Sequence, residues 1–378
     1  MDINKLALEL HKKFGGKLTT ALRDPELTKQ KLSAYYTPGV GHVSRVIAAD
    51  HSKLPEYTWT NNLVAVISDG SAVLGLGDIG PEGAMPVMEG KSMLFKHFGG
   101  IDSVPIVLDV HTPDEIVTVV QAIAPSFGAI NLEDISAPKC FAIEERLKKL
   151  LPIPVMHDDQ HGTAVVALAG LINACKLTNR SLGDCNIVIA GAGAAGVAIA
   201  KLLHIYANPH IVAVDSTGIL SRDRANLNES KLRLLEFTNR TDISGSLADA
   251  LAGADIFIGV TSAPNLLNED LVRTMAKDPI LFALANPDPE ILPDVAKAGG
   301  AAIVATGRND FPNQVNNSLA FPGIFRGALD NHVHQITDTH KIAAAEVIAS
   351  LVAHPSAEEI IPSMFDERLV PAIARVIN

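Results

Sequence analysis

Nine short apolar runs recur along the chain, and most of them are continuous rather than alternating with polar residues. Ala-rich segments with a helical pattern lie between them. Continuous apolar strands are typical of parallel sheets that helices cover on both faces. The pattern therefore predicts an α/β protein. The predicted strands span residues 63–69, 104–110, 128–134, 153–159, 186–193, 210–216, 255–262, 280–287 and 301–307.

One of these runs leads directly into a glycine pattern, in the stretch "NIVIAGAGAAGVAIAKLL". Gly191, Gly193 and Gly196 form G-x-G-x-x-G between a strand and a helix, with Ala194 and Ala195 as the intervening residues. Such glycines permit a tight turn, close approach of the backbone to a pyrophosphate, and close contact between helix and sheet. The helix amino terminus offers free N–H groups to the phosphates. Without its context the pattern would predict only a tight turn; here it predicts a dinucleotide site.

An acid closes the next predicted strand, about 20 residues beyond the glycines. This acid, Asp215, can accept hydrogen bonds from an adenosine ribose, which favours NAD as the coenzyme. Arg222 and Arg224 follow closely and could meet the 2′-phosphate of NADP, so that coenzyme stays open. In the alternative interpretation, Asp215 is a turn residue.

The length of the chain indicates two domains, because 378 residues exceed the roughly 150 to 200 of an ordinary domain. A helical pattern at residues 162–177 joins the two halves. We predict a smaller N-terminal α/β domain at residues 1–160. The C-terminal domain, residues 161–378, is predicted to be a Rossmann-type doubly wound parallel sheet with C-terminal helices.

Composition argues against several classes of protein. The net charge is −11 with no basic block, so nucleic acid is not an expected partner. The amino-terminal residues do not resemble a secretory signal, and no apolar run approaches the roughly 20 residues that span a bilayer. Three cysteines without a C-x-x-C pair argue against a disulfide scaffold and a zinc ribbon. We therefore expect a cytoplasmic protein without membrane partners.

Adjacent acids follow two predicted strands. Glu133 and Asp134 follow one strand in "NLEDISAP", and Asp158 and Asp159 follow the next in "MHDDQHGT". Because the carboxyl ends of parallel strands share one crevice, Glu133, Asp134 and one of the two aspartates can converge. Carboxylates without sulfur ligands suit Mg²⁺ or Mn²⁺ rather than zinc. The alternative for each acid alone is a solvated loop end or a helix cap.

The same stretch places two histidines four residues apart, loosely like the H-E-x-x-H motif of zinc peptidases. That motif needs both histidines within a helix, whereas His157 ends a predicted strand and His161 follows it. The sequence therefore disfavours a zinc site.

Seven motifs, in this order, resemble the malic enzymes in their compact bacterial form. The resemblance runs from about residue 30 to residue 330, and the combination is highly specific. The motifs are "YYTPGVG", "DGSAVLGLGDIGPEGAMPVMEGKSMLFKHFGG", "NLEDI", "HDDQHGT", "GAGAAG", "ANP" and "VNNSLAFPG". The resemblance implies oxidation of L-malate by NAD(P)⁺ with release of CO₂ and pyruvate, and a substrate and metal site in the N-terminal domain.

The resemblance also implies the parts of that site. Glu133, Asp134 and Asp159 would bind Mn²⁺ or Mg²⁺, while Asp158 would orient a ligand or the catalytic lysine. Lys91 matches the family's lysine base, and apolar neighbours together with a metal would lower its pKa toward neutrality.

Three further residues are implied by matching motifs. Tyr36 matches the family's general acid, with Tyr35 as the alternative. Asn286 would contact substrate and coenzyme, and Asn317 would contact substrate, with Asn316 as its neighbouring alternative. An Asn before Pro is also a common turn former, which is the structural alternative for Asn286.

One departure from the family affects the substrate. Larger malic enzymes have an arginine clamp between "DG" and "LGLGD", where this chain has Ala72. An oxaloacetate decarboxylase of the same family, which needs the metal but no net redox chemistry, is therefore the closest alternative. A nucleotide-sensing protein without catalysis is a third hypothesis, which the intact lysine, tyrosine and acids disfavour.

We also expect a homodimer. A further hypothesis is that Lys91 and the metal-binding acids of one site come from different chains.

Overall fold

The computed structural model describes residues 2–73, 75–225 and 227–378. Ten strands lie within these ranges and form two sheets. The strands are β1 (Leu63–Ser68), β2 (Asp102–Val107), β3 (Ala129–Leu132), β4 (Val155–His157), β5 (Asn186–Ala190), β6 (His210–Asp215), β7 (Gly218–Ile219), β8 (Ile256–Gly259), β9 (Ile280–Ala283) and β10 (Ile303–Thr306).

Sixteen α-helices, together with short 3₁₀ turns, complete the described part of the chain. The helices are α1 (Ile3–Phe14), α2 (Lys29–Tyr35), α3 (Val40–Ala49), α4 (Leu54–Tyr57), α5 (Gly80–Gly99), α6 (Pro113–Ile123), α7 (Lys139–Leu150), α8 (Asp158–Leu177), α9 (Ala194–Tyr206), α10 (Glu229–Leu235), α11 (Leu247–Leu251), α12 (Glu269–Arg273), α13 (Pro293–Ala298), α14 (Phe321–Asp330), α15 (Asp338–Ser350) and α16 (Leu369–Val376). No helix in the described ranges is long and apolar enough to cross a membrane.

The first sheet is parallel, with strand order β2-β1-β3-β4. Every residue of β1 is buried, because the two faces of the strand pack into different cores. Val64 and Val66 join a core with residues of α5 and α8, whereas Leu63, Ala65 and Ile67 join a core with residues of α6 and α7. Burial on both faces explains the continuous apolar runs in the sequence.

The second sheet has strand order β10-β9-β8-β5-β6-β7 and is parallel except for β7. The chain starts at β5, proceeds outward through β6, and returns to the other side of β5 at β8. The strand order therefore reverses between β5 and β8, and ligands of open α/β sheets bind beyond the carboxyl ends of the strands at such a point.

All nine predicted strands occur, and the predicted α/β class with a Rossmann-type parallel sheet is confirmed. The strand that the sequence did not predict is β7, whose two residues pair antiparallel with Val214 and Asp215. The predicted domain boundary at residue 160 falls inside α8. This helix begins directly after β4 of the first sheet and packs on α9 of the second, so the boundary stays a prediction.

Candidate active site

The two acid pairs meet at one edge of the first sheet. Glu133 and Asp134 follow β3, and Asp158 and Asp159 begin α8 directly after β4, which is paired in parallel with β3. The carboxylate Oδ2 of Asp159 accepts a hydrogen bond of 2.8 Å from the backbone N–H of Asp134. The expected convergence of these acids is therefore present in the fold.

Three carboxylates of this group are placed to share one ion. Glu133, Asp134 and Asp159 each contribute an oxygen, and these oxygens lie within 4.8 Å of one another. Burial raises the pKa of Glu133 well above its usual value; Lys91 opposes this effect, while Asp159 and the other nearby carboxylates add to it. Three oxygen ligands, two of them buried, whose negative charges repel one another fit Mg²⁺ or Mn²⁺, because a divalent cation would offset those charges.

A buried lysine faces the acids from α5. Nζ of Lys91 lies 2.6 Å from Oδ2 of Asp158 and 3.0 Å from Oε1 of Glu133, and it donates to Oδ1 of Asn317 at 3.1 Å. The ring of Phe321 lies 4.8 Å from the same nitrogen. Since Lys91 and Glu133 of one chain touch, the hypothesis that they come from different chains is wrong.

The charge on Lys91 differs from the expectation. Burial alone would lower its pKa, but the carboxylates of Asp158, Glu133 and Asp159 outweigh burial and raise the pKa above its usual value. The expected fall toward neutrality assumed apolar neighbours and a bound metal, and it left out the three carboxylates. Without a metal, these carboxylates hold Lys91 as an ammonium. For the metal-bound site, the fall toward neutrality stays a prediction.

A glycine one turn into α8 makes room for this arrangement. A side chain at Gly162 would place its Cβ 1.9 Å from Oδ1 of Asp158 and 2.9 Å from Cβ of Asn317. No described contact places a hydrogen-bond partner on that Oδ1 atom of Asp158, which is buried. Residue 162 must therefore be glycine if Asp158 and Asn317 are both to reach Lys91.

The two histidines of "HDDQH" have a structural partner that the sequence did not reveal. His157 ends β4 and His161 lies in α8, so they do not share a helix and the zinc motif is excluded. Nε2 of His161 lies 2.8 Å from Oε2 of Glu144 in α7, whose Oε1 accepts from the backbone N–H of His157 at 3.1 Å. Burial lowers the pKa of His161 to about 3, against the opposing effect of Glu144.

The glycine pattern borders a cavity of about 700 Å³ at the point where the strand order of the second sheet reverses. Gly191 has φ +107°, and a Cβ there would lie 2.6 Å from the carbonyl oxygen of Val260. A Cβ at Gly196 would lie 1.8 Å from the carbonyl oxygen of Gly191. Gly193 lines the cavity and precedes α9, whose first residues are Ala194 and Ala195. The cavity has the position and backbone of a dinucleotide site.

Asp215 lines the same cavity, but its carboxylate is already fully bonded. Oδ1 accepts from the backbone of Thr217 at 2.8 Å and from Arg224 at 3.0 Å. Oδ2 accepts from Arg224 at 3.0 Å and from Lys231 at 2.7 Å. Burial would raise the pKa of Asp215, but the hydrogen bonds from Arg224 and Lys231 outweigh burial and hold the pKa below its usual value. These four donors fill the usual acceptor capacity of a carboxylate.

The two arginines that the sequence associated with NADP differ in position. Arg224 binds Asp215, whereas Arg222 turns toward the carbonyl oxygens of Leu235 and Asn239. The basic residue that lines the cavity is Lys231, which the sequence analysis did not identify. Lys231 lies sixteen residues after Asp215, and no sequence motif links the two positions.

The proposed substrate residues come from different elements. Asn317 touches Lys91, while the neighbouring Asn316 caps a 3₁₀ turn through the N–H of Ser318. Asn286 follows β9. Gly75 of the first half lies against Asn286, because a Cβ at residue 75 would come within 2.2 Å of the Asn286 carbonyl oxygen.

Tyr36 lies outside this cluster. It directly follows α2 and is 68% exposed, and no described hydrogen bond joins its hydroxyl to Lys91 or to the acids. The neighbouring hydroxyl of Tyr35 donates to Oδ2 of Asp24 at 2.9 Å, which gives that residue a structural partner. Within one described chain, the site therefore has a candidate base without its candidate acid.

Buried Asp69 and partly buried Lys139 form a second ion pair beside the site, which sequence analysis did not identify. Asp69 also accepts from the hydroxyl of Ser71, and the backbone N–H of Ala72 donates to the carbonyl of Asp134 at 3.0 Å. The segment that carries Ala72 is therefore fixed directly against one of the candidate metal ligands.

Comparisons with known proteins agree with this geometry. Residues 16–148 match the family model "Malic enzyme, N-terminal domain", and residues 160–375 match "Malic enzyme, NAD binding domain". The chain is 52% identical to the bifunctional malic/malolactic enzyme of Bacillus subtilis, over 100% of this chain and 92% of that protein. It is 52% identical to the NAD-dependent malic enzyme of Geobacillus stearothermophilus, over 96% of this chain and 76% of that protein. The crystal structure of NAD-dependent malic enzyme from Thermotoga maritima is similar, with a TM-score of 0.95, 48% identity and 98% coverage of both chains.

Proposed function

The chain belongs to the malic enzyme family, and from this premise we propose how its residues carry out the oxidative decarboxylation of L-malate to pyruvate and CO₂. It is a decarboxylating malate dehydrogenase that uses a nicotinamide coenzyme. The observation that carries the proposal is the contact of buried Lys91 with Glu133 and Asp158, next to three convergent carboxylates. A base and a cation site at one strand edge suit a 2-hydroxy acid substrate.

We propose Glu133, Asp134 and Asp159 as the ligands of a divalent metal, Mn²⁺ or Mg²⁺. When bound, the metal would polarise the oxygen on C2 of the substrate and stabilise the negative charge that develops as CO₂ leaves. It would also offset the charges of Glu133 and Asp159, two of the three carboxylates that raise the pKa of Lys91. Asp158 would remain beside Lys91 and orient it.

Lys91 is the proposed base. The base must be the uncharged amine, which a bound metal would favour by offsetting the charges of Glu133 and Asp159. In that form Nζ of Lys91 accepts the proton of the malate C2 hydroxyl while the hydride on C2 moves to C4 of the nicotinamide, which gives a ketone at C2. The bond from C3 to the departing carboxylate then breaks, and its electron pair forms the enolate of pyruvate. Tyr36 gives a proton to C3, which completes pyruvate, and Lys91 passes the proton that it took from the hydroxyl to the Tyr36 phenolate. Asn286 and Asn317 are the proposed amide contacts to the substrate, and Asn286 also to the coenzyme.

NAD⁺ is the proposed coenzyme, because an acid closes the second strand of the dinucleotide-binding sheet at Asp215. NADP⁺ is the second candidate, because Lys231 lines the cavity and already shares the Asp215 carboxylate. A ribose hydroxyl must displace one of the four donors of Asp215 before it can bind there. A 2′-phosphate could instead be met by the two unused protons of the Lys231 ammonium.

We propose a homodimer in which Tyr36 of one copy completes the site of the other. Helices α1, α2 and α3 contain no buried residue, although they expose large apolar side chains such as Leu8, Phe14 and Val40. Contiguous exposed apolar surface usually marks an interface. A second copy would cover this surface and supply the acid that Lys91 lacks within its own chain.

Co-expression of two inactive variants tests this shared site. Tyr36→Phe together with Lys91→Gln should restore about a quarter of wild-type activity, because about half of the dimers are mixed and each of those keeps one intact site. Lys91→Gln together with Glu133→Gln is the matched control and should stay inactive, since both residues belong to one chain's site. No recovery in the first pair, or a monomeric mass in solution, would contradict the proposal.

The activity itself is tested with L-malate and Mn²⁺, with NAD⁺ and NADP⁺ compared. Absorbance of the reduced nicotinamide and the amount of pyruvate are measured in the same reaction. Equal amounts of the two products support the proposal. Pyruvate formed from oxaloacetate, without reduction of either coenzyme by malate, would favour the decarboxylase instead.

A further inference from the structure

Glu290 is a buried acid without a cationic partner among the described residues. It follows β9 in the segment "ANPDPE", and its side chain has no exposed surface. Its Oε1 accepts from the backbone N–H of Thr261 at 2.8 Å and from the hydroxyl of Thr261 at 3.0 Å. Its Oε2 accepts from the backbone N–H of Ala285 at 3.1 Å. One carboxylate therefore binds two separate segments of the chain.

Both segments leave the carboxyl ends of strands in the second sheet. Thr261 follows β8 and lines the coenzyme cavity together with Ser262 and Ala263. Ala285 follows β9 and directly precedes Asn286, the proposed contact to substrate and coenzyme. The Glu290 carboxylate thus connects a wall of the cavity to the segment that carries Asn286, the proposed substrate contact.

The end of β8 is built to admit this carboxylate. A Cβ at Gly259 would lie 2.4 Å from the carboxyl carbon of Glu290, so any larger residue there would displace the acid. Every neighbour that Glu290 contacts through hydrogen bonds is a donor, and an ionised carboxylate is an acceptor only. An amide in its place would direct an N–H group against the N–H of Thr261 or Ala285.

We propose that Glu290 is a positioning residue that holds the Thr261 and Asn286 segments in register, and thereby fixes the coenzyme relative to the substrate. This inference rests on the proposed function, because it needs the cavity to be the coenzyme site. Glu290 touches neither the metal-binding acids nor Lys91 through any described hydrogen bond or ion pair. Its effect should therefore be confined to the coenzyme side of the site.

Glu290→Gln tests the proposal through binding rather than turnover. Fluorescence of the reduced coenzyme, titrated without malate, should show at least about tenfold weaker binding, as expected when a buried donor loses its acceptor. Mn²⁺ affinity should stay close to wild type, whereas the thermal midpoint of unfolding without coenzyme should fall by a few degrees, because a buried donor loses its acceptor. Asp288→Asn, two residues away and exposed, is the matched control and should bind coenzyme normally.

Two results would overturn the proposal: unchanged coenzyme binding in Glu290→Gln, or equal losses of coenzyme and Mn²⁺ affinity. If Glu290→Gln does not fold, Thr261→Val decides, because it removes one hydrogen bond to Glu290 and leaves the acid in place. It should weaken coenzyme binding several-fold with Mn²⁺ affinity unchanged, and normal binding would count against the proposal. Since binding is measured without malate, a failure of malate oxidation in the wild type remains distinguishable.

Discussion

Lys91 and Asp158 form a buried ion pair, with Nζ 2.6 Å from Oδ2, although 67 residues separate them in the chain. Asp158 begins α8 and is directly followed by Asp159, one of the three convergent carboxylates. The pair therefore joins the candidate base to the candidate metal site through two consecutive residues of α8. A change at Asp158 should therefore affect both the position of Lys91 and the neighbouring metal site.

Lys91→Gln should greatly slow malate oxidation while retaining the metal. We expect a loss of kcat of about 10²- to 10⁴-fold, the usual contribution of a general base. Mn²⁺ should bind at least as tightly, because the variant removes an ammonium that lies 3.0 Å from Glu133. Steady-state kinetics and Mn²⁺ titration measure the two effects. Lys96→Gln, on the same helix and exposed, should behave as wild type.

Gly162→Ala should inactivate the enzyme through geometry alone. The new Cβ would lie 1.9 Å from Oδ1 of Asp158, so that carboxylate must move away from Lys91. We expect kcat to fall at least about a hundredfold, while circular dichroism shows a folded protein. Gly90→Ala is the matched control, since a Cβ there meets nothing within 4 Å. Full activity in Gly162→Ala would show that the position of Asp158 does not matter.

Lys231→Gln should shift the coenzyme preference toward NAD⁺. The substitution removes the cation that lines the cavity and frees a position on Oδ2 of Asp215 for a ribose hydroxyl. The ratio of kcat/KM for NADP⁺ to that for NAD⁺ should fall about tenfold or more. Lys277→Gln is the control and should leave the ratio unchanged, because Lys277 is exposed and lies between α12 and β9, outside the lining of the cavity. An unchanged ratio in Lys231→Gln would assign the preference to other residues.

The stability of the protein should depend on pH through His161. Burial lowers its pKa from 6.5 to about 3, so the unfolded chain takes up a proton before the folded chain does. Its contribution to stability is complete above the unfolded pKa and is lost as pH falls from about 6.5 toward about 3. Between about pH 7 and about pH 5 this amounts to roughly 2 kcal/mol.

Urea denaturation of the metal-free protein at several pH values measures that dependence. In His161→Gln the free energy of unfolding should fall less steeply as pH decreases from about 7 to about 5. His210→Gln alters an exposed histidine and should keep the pH dependence of wild type. Parallel slopes for wild type and His161→Gln would contradict the assignment.

The sheet edge that carries the acids was predictable because the strands that form it can be recognised from consecutive residues. Continuous apolar runs predict parallel strands, and parallel strands bring the residues after β3 and β4 to one edge. Glu133, Asp134 and one of the two following aspartates could therefore be placed together from their order in the chain, while the choice of Asp159 came from the resemblance to the family. The glycine pattern was predictable for the same reason, since strand, turn and helix are consecutive in sequence.

The charges around those residues could not be predicted, because they depend on long-range packing. The pKa of Lys91 is raised by Asp158 and Glu133, which no local pattern connects to α5. Arg222 and Arg224 are two residues apart, yet only Arg224 reaches Asp215. The exposure of Tyr36 likewise has no signature in the segment around it.

Mn²⁺ binding to the purified protein tests the central claim most directly, because it examines the three carboxylates without requiring turnover. Free Mn²⁺ is followed by electron paramagnetic resonance as metal is added to wild type, Glu133→Gln and the exposed control Asp114→Asn. We predict one site per chain in wild type and in the control, and at least about a hundredfold weaker binding in Glu133→Gln. Equal binding by Glu133→Gln and wild type would contradict the account, because the metal would then lie elsewhere.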